Sequence, residues 1–175
     1  MAGHWNIIID LLKNDPPKIC AEVGVYRGRF ASQILGRFSE ITTYYCIDTW
    51  KHYDDFTAIL RPQGEMAKCD FNKIFRDFKV KIKPYKSKVK IYRMTSKKAA
   101  KLIKDGTLDF VFIDANHAYD YIKEDIGIWL PKVKKGGVIS GHDYNVKRFG
   151  VTEAVDELLP KANSKKTVWY WRVNG

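Results

Sequence analysis

At 175 residues, 45% hydrophobic and 14% aromatic, the chain can bury one sizeable core and reads as a single globular domain over 1–175. No apolar run approaches a membrane span and no charged start leads into an apolar signal segment, so the expectation is a cytoplasmic protein with no membrane partner. The net charge of +11 is largely lysine, gathered between residues 79 and 104, while arginine, the usual residue for bidentate phosphate or base contacts, is scarce. That balance favours solvated lysine on outer faces over a nucleic-acid footprint.

Residues 1–18 form a lead-in in which His4 carries no weight, then a short amphipathic helix at 5–12 closed by Asn14-Asp15-Pro16-Pro17. A buried strand at 19–23 runs into a glycine turn and a helix over 29–38, and a second strand at 43–47 ends at Asp48. Residues 49–66, mixed aromatic and polar, read as a lid. A helix over 66–80 places Phe71, Ile74, Phe75 and Phe78 on one face. A third strand at 89–92 precedes a helix at 96–104 with Ser96 as its cap. The fourth strand is 110–113, followed by a helix over 119–130. A fifth strand at 137–140, a helix at 151–159 and a final strand at 167–173 complete the chain.

Strands alternating with helices of this length predict an α/β, Rossmann-like, doubly wound sandwich with a mostly parallel sheet of six to seven strands. The last strand follows a short connection, so it is expected to run antiparallel at the edge. Cys20 and Cys46 sit within strand-like runs and Cys69 has no C-x-x-C partner, which supports neither a disulfide framework nor a zinc site.

Two places carry chemistry. The first is the turn after the first strand, where Gly24 and Gly28 open a helix N-terminus, a cradle for a polar or anionic group. The dinucleotide pattern G-x-G-x-x-G is not met, because Tyr26 stands where a second glycine would admit a pyrophosphate. Glu22 would repel a diphosphate but could hold an ammonium, and Asp48 is placed to accept two ribose hydroxyls, so a zwitterionic nucleoside fits better. The second is the stretch 108–145, where two apolar runs end in Asp114 and His117, and in His142 and Asp143. Parallel strands bring their carboxyl ends to one crevice. There His117 can act as a general base with His142 as its rival, and Asp114 and Asp143 are near enough to share a divalent ion such as magnesium. Asp15-Pro16-Pro17 resembles an amine-gripping motif of DNA-methylating enzymes, but it precedes the first strand and is a helix stop.

The runs AEVGVYRGRFA (21–31), CIDTW (46–50) and FVFIDANHAYD…GGVISGHDY (110–144) resemble the class I S-adenosylmethionine-dependent methyltransferases, especially the macrocin-type and other sugar O-methyltransferases. The resemblance implies that Glu22, Gly24 and Gly28 surround the methionine part of the cofactor. It implies that Asp48 binds the ribose, that Thr95 and Ser96 flank the adenine, and that Asp114 lies at the cofactor. Tyr26 and Thr49, neighbours of these positions, complete the expected wall. In the resembling sugar enzymes Asp114 and Asp143 would bind metal, with an acidic or amide residue following the second aspartate; here that residue is Tyr144. Asp143 could instead act as a second base. The turn that usually reads Gly-Asp-Ser is Met94-Thr95-Ser96.

The expected activity is methyl transfer from S-adenosylmethionine to a hydroxyl of a small molecule or sugar, with magnesium as an optional cofactor. Methylation of a larger anionic acceptor (nucleic acid or glycan) and non-catalytic cofactor binding stay open as alternatives, as does a homo-oligomer.

Overall fold

The computed structural model describes residues 4–51 and 68–174. Its centre is a seven-stranded sheet. The strands are β1 (Ile19–Val23), β2 (Thr43–Asp48), β3 (Val89–Arg93), β4 (Leu108–Ile113), β5 (Val133–Gly141), β6 (Asn163–Lys165) and β7 (Val168–Arg172). The order across the sheet is β3-β2-β1-β4-β5-β7-β6. The first five strands pair in parallel, β7 runs antiparallel to β5, and β6 runs antiparallel to β7.

Helices cover both faces. On one lie α1 (Trp5–Leu12), α2 (Arg29–Arg37) and α3 (Phe71–Ile82), and on the other α4 (Ser96–Ala100), α5 (Tyr119–Trp129) and α6 (Val151–Leu158). The double covering explains why β4 is apolar without alternation. Phe110 and Phe112 pack toward α1–α3, while Val111 and Ile113 pack toward α4–α6, and all four are buried.

Strand order reverses between β1 and β4, so the crevice beyond their carboxyl ends is where a ligand is expected. The two strand ends meet closely there. Gly24 follows β1 with φ of +90°, and a Cβ on it would lie 2.1 Å from the Asp114 carbonyl oxygen after β4. Only glycine fits that contact. Gly28, at φ +67°, opens α2, and a Cβ there would meet the Phe78 ring of α3 at 2.6 Å. Its place in the fold is helix packing.

Several boundaries differ from the sequence expectation. The third helix begins at Phe71, where the Asp70 side chain accepts a hydrogen bond from Lys73 N at 2.9 Å, and it continues to Ile82. Helix α4 stops at Ala100, and its cap is Thr95 rather than Ser96, because the Ser96 hydroxyl is committed elsewhere. Strand β7 runs antiparallel, as expected, but lies one strand in from the edge. The sequence reading missed β6, whose three residues Asn, Ser and Lys are all exposed and carry no apolar signal. The turn between β6 and β7 places Lys166 at φ +57°. Of the expected lid, residues 52–66 lie outside the described residues.

Candidate active site

Beyond β1, β2 and β4 a cavity of about 270 Å³ opens, lined by the turn at Gly24 and Tyr26, by Asp48, by Thr95 and Ser96 after β3, and by Asp114 and Asn116 after β4. Asp48 is drawn toward the chain that surrounds it. Tyr26 N donates to one carboxylate oxygen at 2.8 Å and Trp50 N to the other at 2.7 Å. Burial raises its pKa, and these backbone donors work against that rise. Each oxygen keeps lone-pair capacity for a ligand hydroxyl. Trp50 is buried with φ of +45°, donates from Nε1 to Tyr26 O at 2.8 Å, and packs on Phe75 and Phe78. The chain leaving Asp48 is thus pinned to the glycine turn.

Glu22 sits behind the turn and not in the cavity wall. It is 2% exposed, takes a hydrogen bond from the Tyr44 hydroxyl at 2.8 Å, and burial drives its pKa well upward. A carboxyl held this way ties β1 to β2. Thr49 likewise does not line the cavity, and its buried hydroxyl has no hydrogen-bond partner.

At the other end of the cavity a relay runs between α5 and the turn after β3. Trp129 Nε1 donates to Ser96 Oγ at 2.7 Å, and Ser96 Oγ donates to Asp125. Asp125 is 6% exposed and in the cavity wall, and burial pushes its pKa up to about 7 against the Ser96 hydrogen bond. Beside Asp114, Asn116 is 7% exposed; its Oδ1 accepts from Ala118 N at 3.0 Å, and its Nδ2 has no hydrogen-bond partner. The sequence reading missed both residues. A signal for Asp125 was present: it lies three residues after Ile122 and four before Trp129, which puts a carboxylate on the buried stripe of its helix.

Asp114 belongs to a second group as well. His117 Nε2 lies 3.0 Å from Asp143 Oδ2 and 3.4 Å from Asp114 Oδ1, and its ring packs on Phe149 at 4.5 Å. His142 Nδ1 lies 3.3 Å from Asp143 Oδ1, and its Nε2 lies 3.0 Å from Thr167 Oγ1. Burial alone would lower the His142 pKa, but the Asp143 hydrogen bond and the charges of Asp114 and Asp143 hold it above the ordinary value. Burial would raise Asp143, and the two imidazoles with Arg148 reverse that shift. The four residues expected at one crevice edge are therefore in mutual contact.

The imidazoles differ in what remains free. Both His142 nitrogens have partners, whereas His117 Nδ1 has none. Asp114, His117 and Asp143 each offer one atom, all within 4.8 Å of one another, an oxygen–nitrogen–oxygen set that fits a divalent cation. His4, given no weight above, stacks on Phe30 and Phe112 and lies 4.4 Å, ring to ring, from His142.

A family model described as a methyltransferase domain matches residues 21–144. A curated relative, the uncharacterized protein y4gI of Sinorhizobium fredii, is 32% identical over 71 residues, and that match covers 39% of this chain but only 8% of the relative's length. Among solved structures, the O-methyltransferase TomG from Streptomyces achromogenes, described as involved in tomaymycin synthesis and in complex with SAM, superposes with a TM-score of 0.75 at 14% identity. That superposition covers 100% of this chain and 81% of TomG. The O-methyltransferase NovP gives a TM-score of 0.67 at 18% identity, over 98% of this chain and 78% of NovP. Both likenesses establish the same fold. Among the described residues no helix is long and apolar enough to cross a membrane. With the family match running from β1 through the turn after β5, and so through the cavity and the Asp–His cluster alike, the chain belongs to the methyltransferase domain family.

Proposed function

We propose that the chain transfers a methyl group from S-adenosylmethionine to a hydroxyl of a small molecule or sugar. The observation that carries this reading is the position of Asp114, which lines the cavity on one side and meets the His117–Asp143 pair on the other. A cofactor seated in the cavity would thus end beside a base. The cradle suits such a ligand: Gly24 and Asn116 line it beside Asp114, and Asp48 offers two acceptor oxygens. The cofactor supplies a methyl group on a sulfonium, which the acceptor oxygen takes by in-line displacement as the thioether leaves.

The protein's part is to hold the acceptor and remove its proton. His117 Nε2 faces both carboxylates, and the ring keeps some exposure at the edge of the cluster. The imidazole takes the hydroxyl proton, and Asp143 and Asp114 orient the ring and stabilise the imidazolium that forms. His142, with both nitrogens engaged and its protonated form favoured, is the poorer base.

Asp114 and Asp143 would hold a divalent cation through their carboxylates, where it would lower the pKa of a bound acceptor hydroxyl. Tyr144 supplies no carboxylate after Asp143, since its hydroxyl donates to Asp156 at 2.7 Å. Turnover is expected to fall in excess chelator and to return with added magnesium or manganese. Full turnover in chelator would leave the two aspartates as orienting groups for His117 alone.

The cofactor assignment has its own measurement. Asp48→Ala removes two charge-assisted acceptors and should weaken S-adenosylhomocysteine binding by about 1.5–3 kcal/mol in isothermal titration. Unchanged affinity would place the ribose elsewhere.

A further inference from the structure

We infer that the open edge of β3 docks an extended segment of a partner protein, one in which acidic and apolar residues alternate, as a further strand of the sheet. The surface is separate from the methyl-transfer chemistry: of its lysines only Lys97 lines the cavity.

Charge marks this edge. Residues 79–104, which run from the second half of α3 through β3 and α4, hold ten lysines, one arginine and no acidic residue. The chain has 31 basic and 20 acidic residues, so the remainder balances at 20 of each and the whole excess of +11 lies in this stretch. Among the described residues only Lys97 of these lysines meets a carboxylate, that of Glu124. Val80, Ile91 and Leu102, the large apolar side chains exposed among the described residues, fall in the same stretch. Solubility accounts for the lysines but gives no reason for exposed aliphatic side chains to collect among them.

The backbone supplies a second, independent observation. Strand β3 is the edge of the sheet and pairs on one side only, with β2. Tyr44 N donates to Lys88 O at 2.8 Å, and Tyr44 lies opposite Val89 in the register. In a parallel ladder this turns the backbone groups of Lys88, Lys90 and Tyr92 toward β2 and those of Val89, Ile91 and Arg93 outward. No other described residue hydrogen-bonds the outward groups of Val89 and Ile91.

The side chains select the partner. Lys90 lies over the Tyr45 ring at 5.3 Å, on the α4–α6 face, while Ile91 lies opposite Cys46, which packs on the α1–α3 face. An added strand would set an acidic residue beside Lys90 and an apolar one beside Ile91, so its sequence alternates. A second copy of this chain would bring lysine against lysine, which edge lysines serve to prevent. Nucleic acid would meet the lysines, but its phosphates only accept hydrogen bonds, so the outward carbonyls and Ile91 would go unmatched. The lone arginine of the stretch, Arg93, is already engaged with Asn72 Oδ1 at 2.7 Å.

The probe is a capped heptapeptide of alternating glutamate and valine, titrated into the full chain beside its lysine–valine counterpart. The acidic peptide should bind saturably and at least about tenfold more tightly than the basic one. Lys83→Glu, Lys86→Glu and Lys90→Glu combined should weaken its binding by about tenfold or more. Ile91→Pro should do the same by removing an outward N–H, while the bonds that Lys90 and Tyr92 make to β2 stay in place. In the wild type, amide hydrogen exchange at Ile91 should slow when the acidic peptide is added, a measurement that stands whether or not the proline variant folds. No binding of the acidic peptide, full affinity retained in a folded Ile91→Pro, or unchanged exchange at Ile91 would overturn the proposal. A single-stranded oligouridylate bound more tightly than the peptide would overturn it in favour of nucleic acid.

Discussion

Asp125→Asn should make the unliganded protein more stable at pH 8, by about 2 kcal/mol, and change its stability little at pH 5. Burial pushes the Asp125 carboxyl up to about 7 from an ordinary 3.8. The folded state therefore binds a proton more tightly than the unfolded chain does. Below an unfolded pKa near 3.8 both states are protonated and the group costs nothing. Between that point and pH 7 the unfolded chain ionises while the folded one does not, so stability falls as pH rises. Above about 7 the full cost persists, because the folded protein must then carry a buried charge. Three pH units correspond to about 4 kcal/mol. An asparagine removes that cost but leaves a buried N–H₂ unpartnered, which offsets about 1–3 kcal/mol. Paired thermal or denaturant unfolding of both proteins at the two pH values checks the prediction, since all other titrating groups cancel in the difference. An equal effect at both pH values would show that Asp125 is not the group responsible.

His117→Ala should lower turnover by about 10²–10⁴ while leaving S-adenosylhomocysteine affinity within a few-fold of the wild type. The separation follows from geometry. His117 does not line the cavity, but it touches Asp114, which does. His117→Asn should behave similarly, since an amide is no base. His142→Ala should cost less, because that ring acts on Asp143 and has no free nitrogen. If His142→Ala abolishes turnover and His117→Ala spares it, the assignment is reversed. Cation affinity separates base from ligand: a drop of more than about tenfold in magnesium or manganese binding by His117→Ala would make the imidazole a third ligand.

The parallel half of the fold was legible because β1 and β4 are short apolar runs, β1 running into Gly24 and α2 opening after Gly28 with its apolar residues on one face, and because Asp114, His117, His142 and Asp143 follow the apolar runs of β4 and β5. Their contact needed only the rule that parallel strands deliver their carboxyl ends to one edge. What escaped the sequence lacked such a signal. Strand β6 is three exposed polar residues, held by pairing to β7 and not by burial. Ser96 looked like a cap because serine before a helical run usually is one; its hydroxyl was taken by Asp125, 29 residues later. Glu22 was expected at the ligand, and the partner that holds it beneath the turn, Tyr44, comes from the neighbouring strand. His4 was discounted by position, although its ring packs on Phe30 of α2 and Phe112 of β4. Each of these depends on a partner distant in sequence.

The placement of β1 also shapes how the chain reaches this structure. Residues 19–23 can pair with β2 as soon as residues 43–48 have been synthesised, but the opposite edge of β1 waits for residues 108–113. Until then a strand whose Cys20, Ala21 and Val23 end fully buried presents open backbone groups. An emerging chain is thus exposed to edge-to-edge association for the whole time that α3, β3 and α4 are being made. The lysines gathered between residues 79 and 104 emerge in that interval, and their like charge keeps half-made chains apart.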